Sequence, residues 1–210
     1  IIIIMEEKNT IGCHAIDTNI NMYDGSTKFV QYIRVGESVL GDDNGRRHVS
    51  ELFSGQDVLV RVLPKDGLGF KVNINHKLSL KFNNINPKVK SFGTNGFHVE
   101  WFELLDHYEP MRHVRKFNNK EEADQLANDL IETQIIKNMQ IIDIPIVELL
   151  KWNKWWINNG HLVLYKVNLI TSTFSLELQD TDDCYGFELD GNHRYQTADF
   201  YIHHNSNSSK

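Results

Sequence analysis

The sequence predicts a mostly β fold with a small α-containing insertion. Short runs of β-branched and aromatic residues recur between Gly, Asn and Asp clusters, from Phe29–Ile33 to Phe200–Ile202. Closely spaced short strands of this kind suggest a sandwich- or barrel-like domain. Runs with helical periodicity are confined to one central stretch. The composition, 40% hydrophobic and 24% charged over 210 residues, suits one domain or a domain with an insertion.

Residues 1–12 show no clear pattern and are expected to flank the domain. From Cys13 onward the strands begin. Tyr23-Asp24-Gly25 reads as a turn and Phe29–Ile33 as a strand, and Gly36, Gly41–Gly45 and Gly55 punctuate the next stretch. Val58–Val62, Phe70–Val72 and Lys77–Leu80 continue the pattern. Glu121–Glu132 is rich in helix formers and sets Ala123, Leu126, Ala127, Leu130 and Ile131 on one face. After Pro145, the run Ile146–Trp156 predicts a second helix that ends near Asn158-Asn159-Gly160. Trp152, Trp155 and Trp156 are expected to pack within it. Strands resume at Leu162–Val167, Phe174–Leu178, Tyr185–Leu189 and Phe200–Ile202.

Composition narrows the function classes. A formal net charge of −6 argues against a dedicated nucleic-acid binder, which would show a basic face. Two cysteines, Cys13 and Cys184, make no disulfide framework, and an intracellular, reducing setting is the default. Ile1–Met5 is too short for a signal peptide, and no apolar run reaches the roughly 20 residues of a membrane span.

Chemistry-bearing residues collect near the two ends. Cys13 follows Gly12, whose carbonyl has no bulky neighbour, and a thiol can attack that carbonyl. His204-Asn205-Ser206 closes the other end. An Asn side-chain amide can cyclise onto its own carbonyl, His can polarise that carbonyl or protonate the leaving group, and Ser can act as a second nucleophile. Together these groups can cut a peptide bond at each end and join the outer pieces.

The blocks Cys13–Gly25 and Gly191–Asn205, correctly ordered, resemble the two ends of an intein, a self-splicing protein of the Hint family. The stretch Val35-Gly36 to Gly41-Asp42 is similar to that family's continuation after its first block. Ile142-Asp-Ile-Pro145 through Trp152 resembles inteins of the vacuolar-ATPase type. The resemblance implies a horseshoe-like Hint β fold. It divides the chain into an amino-terminal flank (N-extein, 1–12), a first splicing part (13–94), an inserted helical subdomain (95–160), a last splicing part (161–205) and a carboxy-terminal flank (C-extein, 206–210). No Leu-Ala-Gly-Leu-Ile-Asp-Ala-Asp-Gly-like motif occurs, and roughly 190 residues between junctions leave too little room for a homing endonuclease. The expectation is a mini-intein.

The resemblance also implies site roles. Cys13 turns the Gly12–Cys13 amide into a thioester, Ser206 takes over the acyl group, and Asn205 cyclises with help from His204 and His193. His76 falls at the histidine of the family's Thr-x-x-His block, where it protonates the departing amine. Asn73 stands in place of the usual Thr, so altered oxyanion support is expected. Gly186 occupies a position where many inteins carry Asp or Cys, and Asp183 and Cys184 are the nearby candidates to substitute. The strand of Cys184 lies near the active centre in relatives, so oxidation to Cys184 could restrain Cys13. No cofactor or metal is implied. The partners are the chain's own exteins, with no membrane and no nucleic acid, in a monomer acting as a single-turnover autocatalyst. Two alternatives stand beside splicing: a Hint domain that only cleaves, and an inert binding module with residual DNA contact through Lys151 and Lys154.

Overall fold

The computed structural model describes residues 11–83, 86–94, 96–104, 110–138, 140–151 and 155–205. The amino-terminal half is almost all strand: β1 (His14–Ala15), β2 (Asn19–Asn21), β3 (Thr27–Phe29), β4 (Ser38–Leu40), β5 (Arg46–Pro64), β6 (Phe70–Asn73) and β7 (Lys77–Phe82). Then come β8 (Lys88–Phe92), β9 (Gly96–Leu104) and β10 (Pro110–Phe117), followed by α1 (Lys120–Asn138). The chain continues through β11 (Ile142–Pro145), α2 (Ile146–Lys151) and α3 (Trp155–Asn158). It ends with β12 (Leu162–Tyr165), β13 (Thr171–Ser172), β14 (Phe174–Leu189), β15 (Arg194–Gln196) and β16 (Ile202–His204).

Two sheets position the site. In the first, the order is β14-β1-β6-β5-β4, and β14 also runs antiparallel to β5 from Phe174↔Pro64 to Leu189↔Val49. In the second, β7 pairs with β11, β12 and β16, and β16 pairs with β15. The loop between β6 and β7 therefore joins the two sheets at one corner. Val60, Val62, Leu78, Leu80, Ile144 and Leu164 form the main core. Alternation explains this burial, since successive side chains of a strand face opposite ways. A second core gathers Ile20, Val39, Val49, Phe187 and Leu189.

The central segment holds more than helices. β8, β9 and β10 form a separate three-stranded sheet, and α1 covers it with Ala123 and Ala127 buried against Val99. Leu126 and Leu130, expected on the same helical face, pack there as well. By contrast, Ile144, Ile146, Leu149, Trp156 and Ile157 belong to the main core. The run read as one helix from Ile146 is two described pieces, α2 and α3, and Trp152 lies outside the described residues.

Candidate functional site

The expected amino-terminal junction, Gly12–Cys13, is placed by β1. Its residue His14 pairs with Tyr185 of β14 on one side and Val72 of β6 on the other. That register buries Cys13 beside Asn73, which is itself fully buried. The Cys13 N–H donates to Asn73 Oδ1 at 2.9 Å, and the Asn73 N–H donates to the Cys13 carbonyl at 3.0 Å. Asn73 Nδ2 donates to the Ile11 carbonyl and to Asp57 Oδ2, both at 2.9 Å. One side chain thus grips the backbone on both sides of the Gly12–Cys13 bond. Asn73 differs here from the expected oxyanion donor. Its two amide hydrogens are engaged with Ile11 and Asp57, and its carbonyl oxygen holds the nitrogen that would leave.

Cys13 and Cys184 are joined by a disulfide with a Cα–Cα distance of 5.6 Å. The antiparallel pairing Ala15↔Cys184 explains this, because it brings Cys184 to the edge from which Cys13 emerges. One bond is no framework holding the fold; it is the link between Cys13 and Cys184 expected on oxidation, and it sits at the site. Asp183 does not reach the junction; it is exposed and accepts from Gln56 Nε2. Gly186 has a steric reason for lacking a side chain. A Cβ there would lie 2.7 Å from the Gly12 carbonyl oxygen and 3.4 Å from Cys13 Cβ.

The segment before the expected carboxy-terminal junction lies on β16, whose residues His203 and His204 pair with Leu78 and Lys77 of β7. Asn205 is buried, and its N–H donates to the His193 carbonyl at 3.0 Å. His193 offers that carbonyl from a left-handed backbone conformation, φ 58°, rare for a residue with a side chain. The His193 and His204 rings lie 5.8 Å apart, and Asn205 Nδ2 has no hydrogen-bond partner among the described residues. Burial pushes the His204 imidazole down to about 4, so it is neutral near pH 7. Ser206 and residues 1–10 of the amino-terminal flank lie outside the described residues.

His76 sits between the junctions. Its Nε2 is 3.0 Å from His203 Nδ1, and its ring centroid is 4.5 Å from that of His14, the residue after Cys13. His14 Nε2 in turn bonds the Tyr195 hydroxyl. All three imidazoles are buried and held neutral, because burial disfavours their charged forms: His14 falls to about 3, and His76 and His203 well below the usual value. Their nitrogens are close enough to be metal-capable, yet one nitrogen of each is engaged in these side-chain bonds. The structure thus brings Cys13, Asn73, His76, His193, His204 and Asn205 around one corner of the fold. Sequence reasoning missed Asp57, His14, Tyr195 and His203. Asp57 and Tyr195 carry no motif signal, whereas the doubled histidine before Asn205 was a signal available to be followed.

A family model described as Hom_end-associated Hint matches residues 13–140. Among solved structures, the chain is similar to the gp41-1 intein, with a TM-score of 0.52, 13% identity, and coverage of 92% of this chain and 98% of that one. It is also similar to a DnaB intein from Synechocystis sp. PCC 6803, with a TM-score of 0.52, 11% identity, and coverage of 93% and 99%. At such identities the likeness carries the fold alone.

Proposed function

The chain belongs to the Hom_end-associated Hint family, and from that membership we propose that it excises itself by autocatalytic protein splicing, once per molecule. The supporting observation is the convergence of both ends on the β6–β7 corner. Asn73 grips the Gly12–Cys13 bond, while His76, three residues on, touches the residue after Cys13 and the strand that leads to Asn205.

The first requirement is reduction. A thiol exchanges with the Cys13–Cys184 disulfide, and the resulting dithiol gains the two electrons and two protons that the reductant gives up. Cys13 Sγ then attacks the Gly12 carbonyl carbon. The C–N bond breaks, and the leaving amine departs from beside Asn73 Oδ1. His76 takes the Cys13 thiol proton and delivers it to that amine, ending neutral as it began. The Ser206 hydroxyl takes the acyl group from sulfur. Asn205 Nδ2, free of other bonds among the described residues, closes on its own carbonyl and releases Ser206, aided by His204 and His193. An O-to-N shift joins Gly12 to Ser206.

The test uses the reduced chain and its Ser206→Ala variant, followed by mass. The wild type should yield the excised 13–205 fragment and a ligated peptide. The variant should accumulate cleavage at Gly12–Cys13 when a small thiol is added. Separate flanks from the wild type would instead identify a domain that only cleaves.

A further inference from the structure

His76 is one end of a chain of polar side chains that runs to the surface. Its Nε2 meets His203 Nδ1 at 3.0 Å; His203 Nε2 lies 3.4 Å from Thr197 Oγ1; Thr197 Oγ1 lies 2.5 Å from Asp199 Oδ1. His76, His203 and Thr197 are all at least 98% buried, while Asp199 is exposed. We propose that His203, held by Thr197, is a positioning residue that fixes the tautomer of His76 and leaves its Nδ1 unprotonated, ready to accept a proton in the amino-terminal step.

Counting hydrogens along the chain fixes the tautomers. A carboxylate oxygen accepts and cannot donate, so the 2.5 Å contact requires the Thr197 hydroxyl hydrogen to point at Asp199. The other acceptor beside that hydroxyl, the Tyr201 carbonyl at 3.3 Å, cannot donate either. Thr197 Oγ1 therefore offers lone pairs to His203, and His203 Nε2 must carry the hydrogen. A neutral imidazole has one N–H, which leaves His203 Nδ1 as an acceptor. Its partner His76 Nε2 must then be the donor, and His76 Nδ1 holds a lone pair. That nitrogen has no hydrogen-bond partner among the described residues. Burial keeps both rings neutral, which removes the doubly protonated alternative. The reverse arrangement would turn the Thr197 hydrogen away from Asp199 and set two bare oxygens 2.5 Å apart. In the flanking ring of His14, Nε2 is already engaged with the Tyr195 hydroxyl.

The inference rests on the splicing reading for its chemistry but is measurable without it. In the oxidised full chain, labelled at histidine nitrogens, two-dimensional proton–nitrogen spectra separate bare from protonated ring nitrogens. His76 should show a bare Nδ1 and a protonated Nε2, and His203 the same pattern. In Thr197→Val, which keeps the shape and removes the hydroxyl, the His76 nitrogens should shift toward a mixture. In the reduced chain, that variant should form thioester about tenfold more slowly, the loss of one buried hydrogen bond. Release of the C-extein by Asn205 should be unchanged. His203→Asn, whose side-chain oxygen can accept in place of Nδ1, should retain more thioester formation than His203→Leu. A protonated His76 Nδ1 in the wild type would overturn the proposal. So would a Thr197→Val chain that keeps both its spectrum and its rate. A reduced wild type that forms no thioester, despite a bare His76 Nδ1, would instead count against the splicing reading.

Discussion

At Gly186 a methyl group would stand 2.7 Å from the Gly12 carbonyl oxygen, with backbone on both sides of the contact. Gly186→Ala should therefore displace the junction and slow thioester formation in the reduced chain about tenfold or more, an overpacking cost of about 1–3 kcal/mol. Cleavage at Asn205 in the same sample should be unaffected. Asn73→Ala removes three side-chain hydrogen bonds around the same peptide bond, and should lower thiol-induced cleavage at Gly12 by more than Asp57→Ala, which removes only the Asn73–Asp57 bond of those three. Much of this site could be read from the chain, because Cys13, His76, His193 and the His204-Asn205 pair stand at fixed places in a recognisable pattern. Asp57 could not: it lies on a different strand, and only the pairing of β5 with β6 brings it to Asn73. The direction of the Asn73 amide was equally hidden, since it depends on which atoms surround it.

At the scale of elements, β16 and the β6–β7 corner hold three imidazoles in neutral form, with His14 on β1 beside them. Each of His14, His76, His203 and His204 has its basicity lowered by burial, to about 3 for His14 and about 4 for His204. Below about pH 6.5 the unfolded chain binds protons that the native chain refuses. Their contribution to stability is therefore complete above that pH and is lost as the pH falls toward about 3. The slope reaches up to about 1.4 kcal/mol per pH unit for each histidine. Thermal unfolding of the oxidised chain should show a lower midpoint at pH 5 than at pH 7; a flat profile would mean that these rings are solvated. Strand existence was legible from alternation, but strand length was not. β14 is continuous from Phe174 to Leu189 where sequence suggested two short runs, because the intervening Gln179 to Asp183 are polar on both faces, and after a register shift at Gln179-Asp180 the pairing of Thr181 to Asp183 with β5 carries the strand on. β8 to β10 went unread because His98, Glu100, Arg112 and Arg115 interrupt the apolar pattern.

On the scale of the whole molecule, the central sheet and α1 carry their own core, while Ile142–Pro145 returns to pair with Leu80–Lys77. The chain leaves and re-enters the splicing fold at neighbouring points. Replacing residues 86–140 with a short turn should leave a folded protein, destabilised by roughly 2–4 kcal/mol through the loss of Phe102 from the Trp156 face. Circular dichroism and splicing after reduction would both register that outcome. The insertion's limits were approximate in sequence because residues 142–157 have helical and strand composition alike, and only packing assigns them to the main core.

In the proposed mechanism the disulfide to Cys184 ties up the first nucleophile, Cys13, so that a reductant sets the onset of self-splicing. The intact mass of the oxidised chain should remain that of the precursor for as long as no reductant is present. On adding a thiol it should divide into the 13–205 fragment and a peptide joining Gly12 to Ser206. A mass that stays unchanged after the disulfide is fully reduced would contradict self-splicing, and ligation without any reductant would contradict the restraint of Cys13 by Cys184.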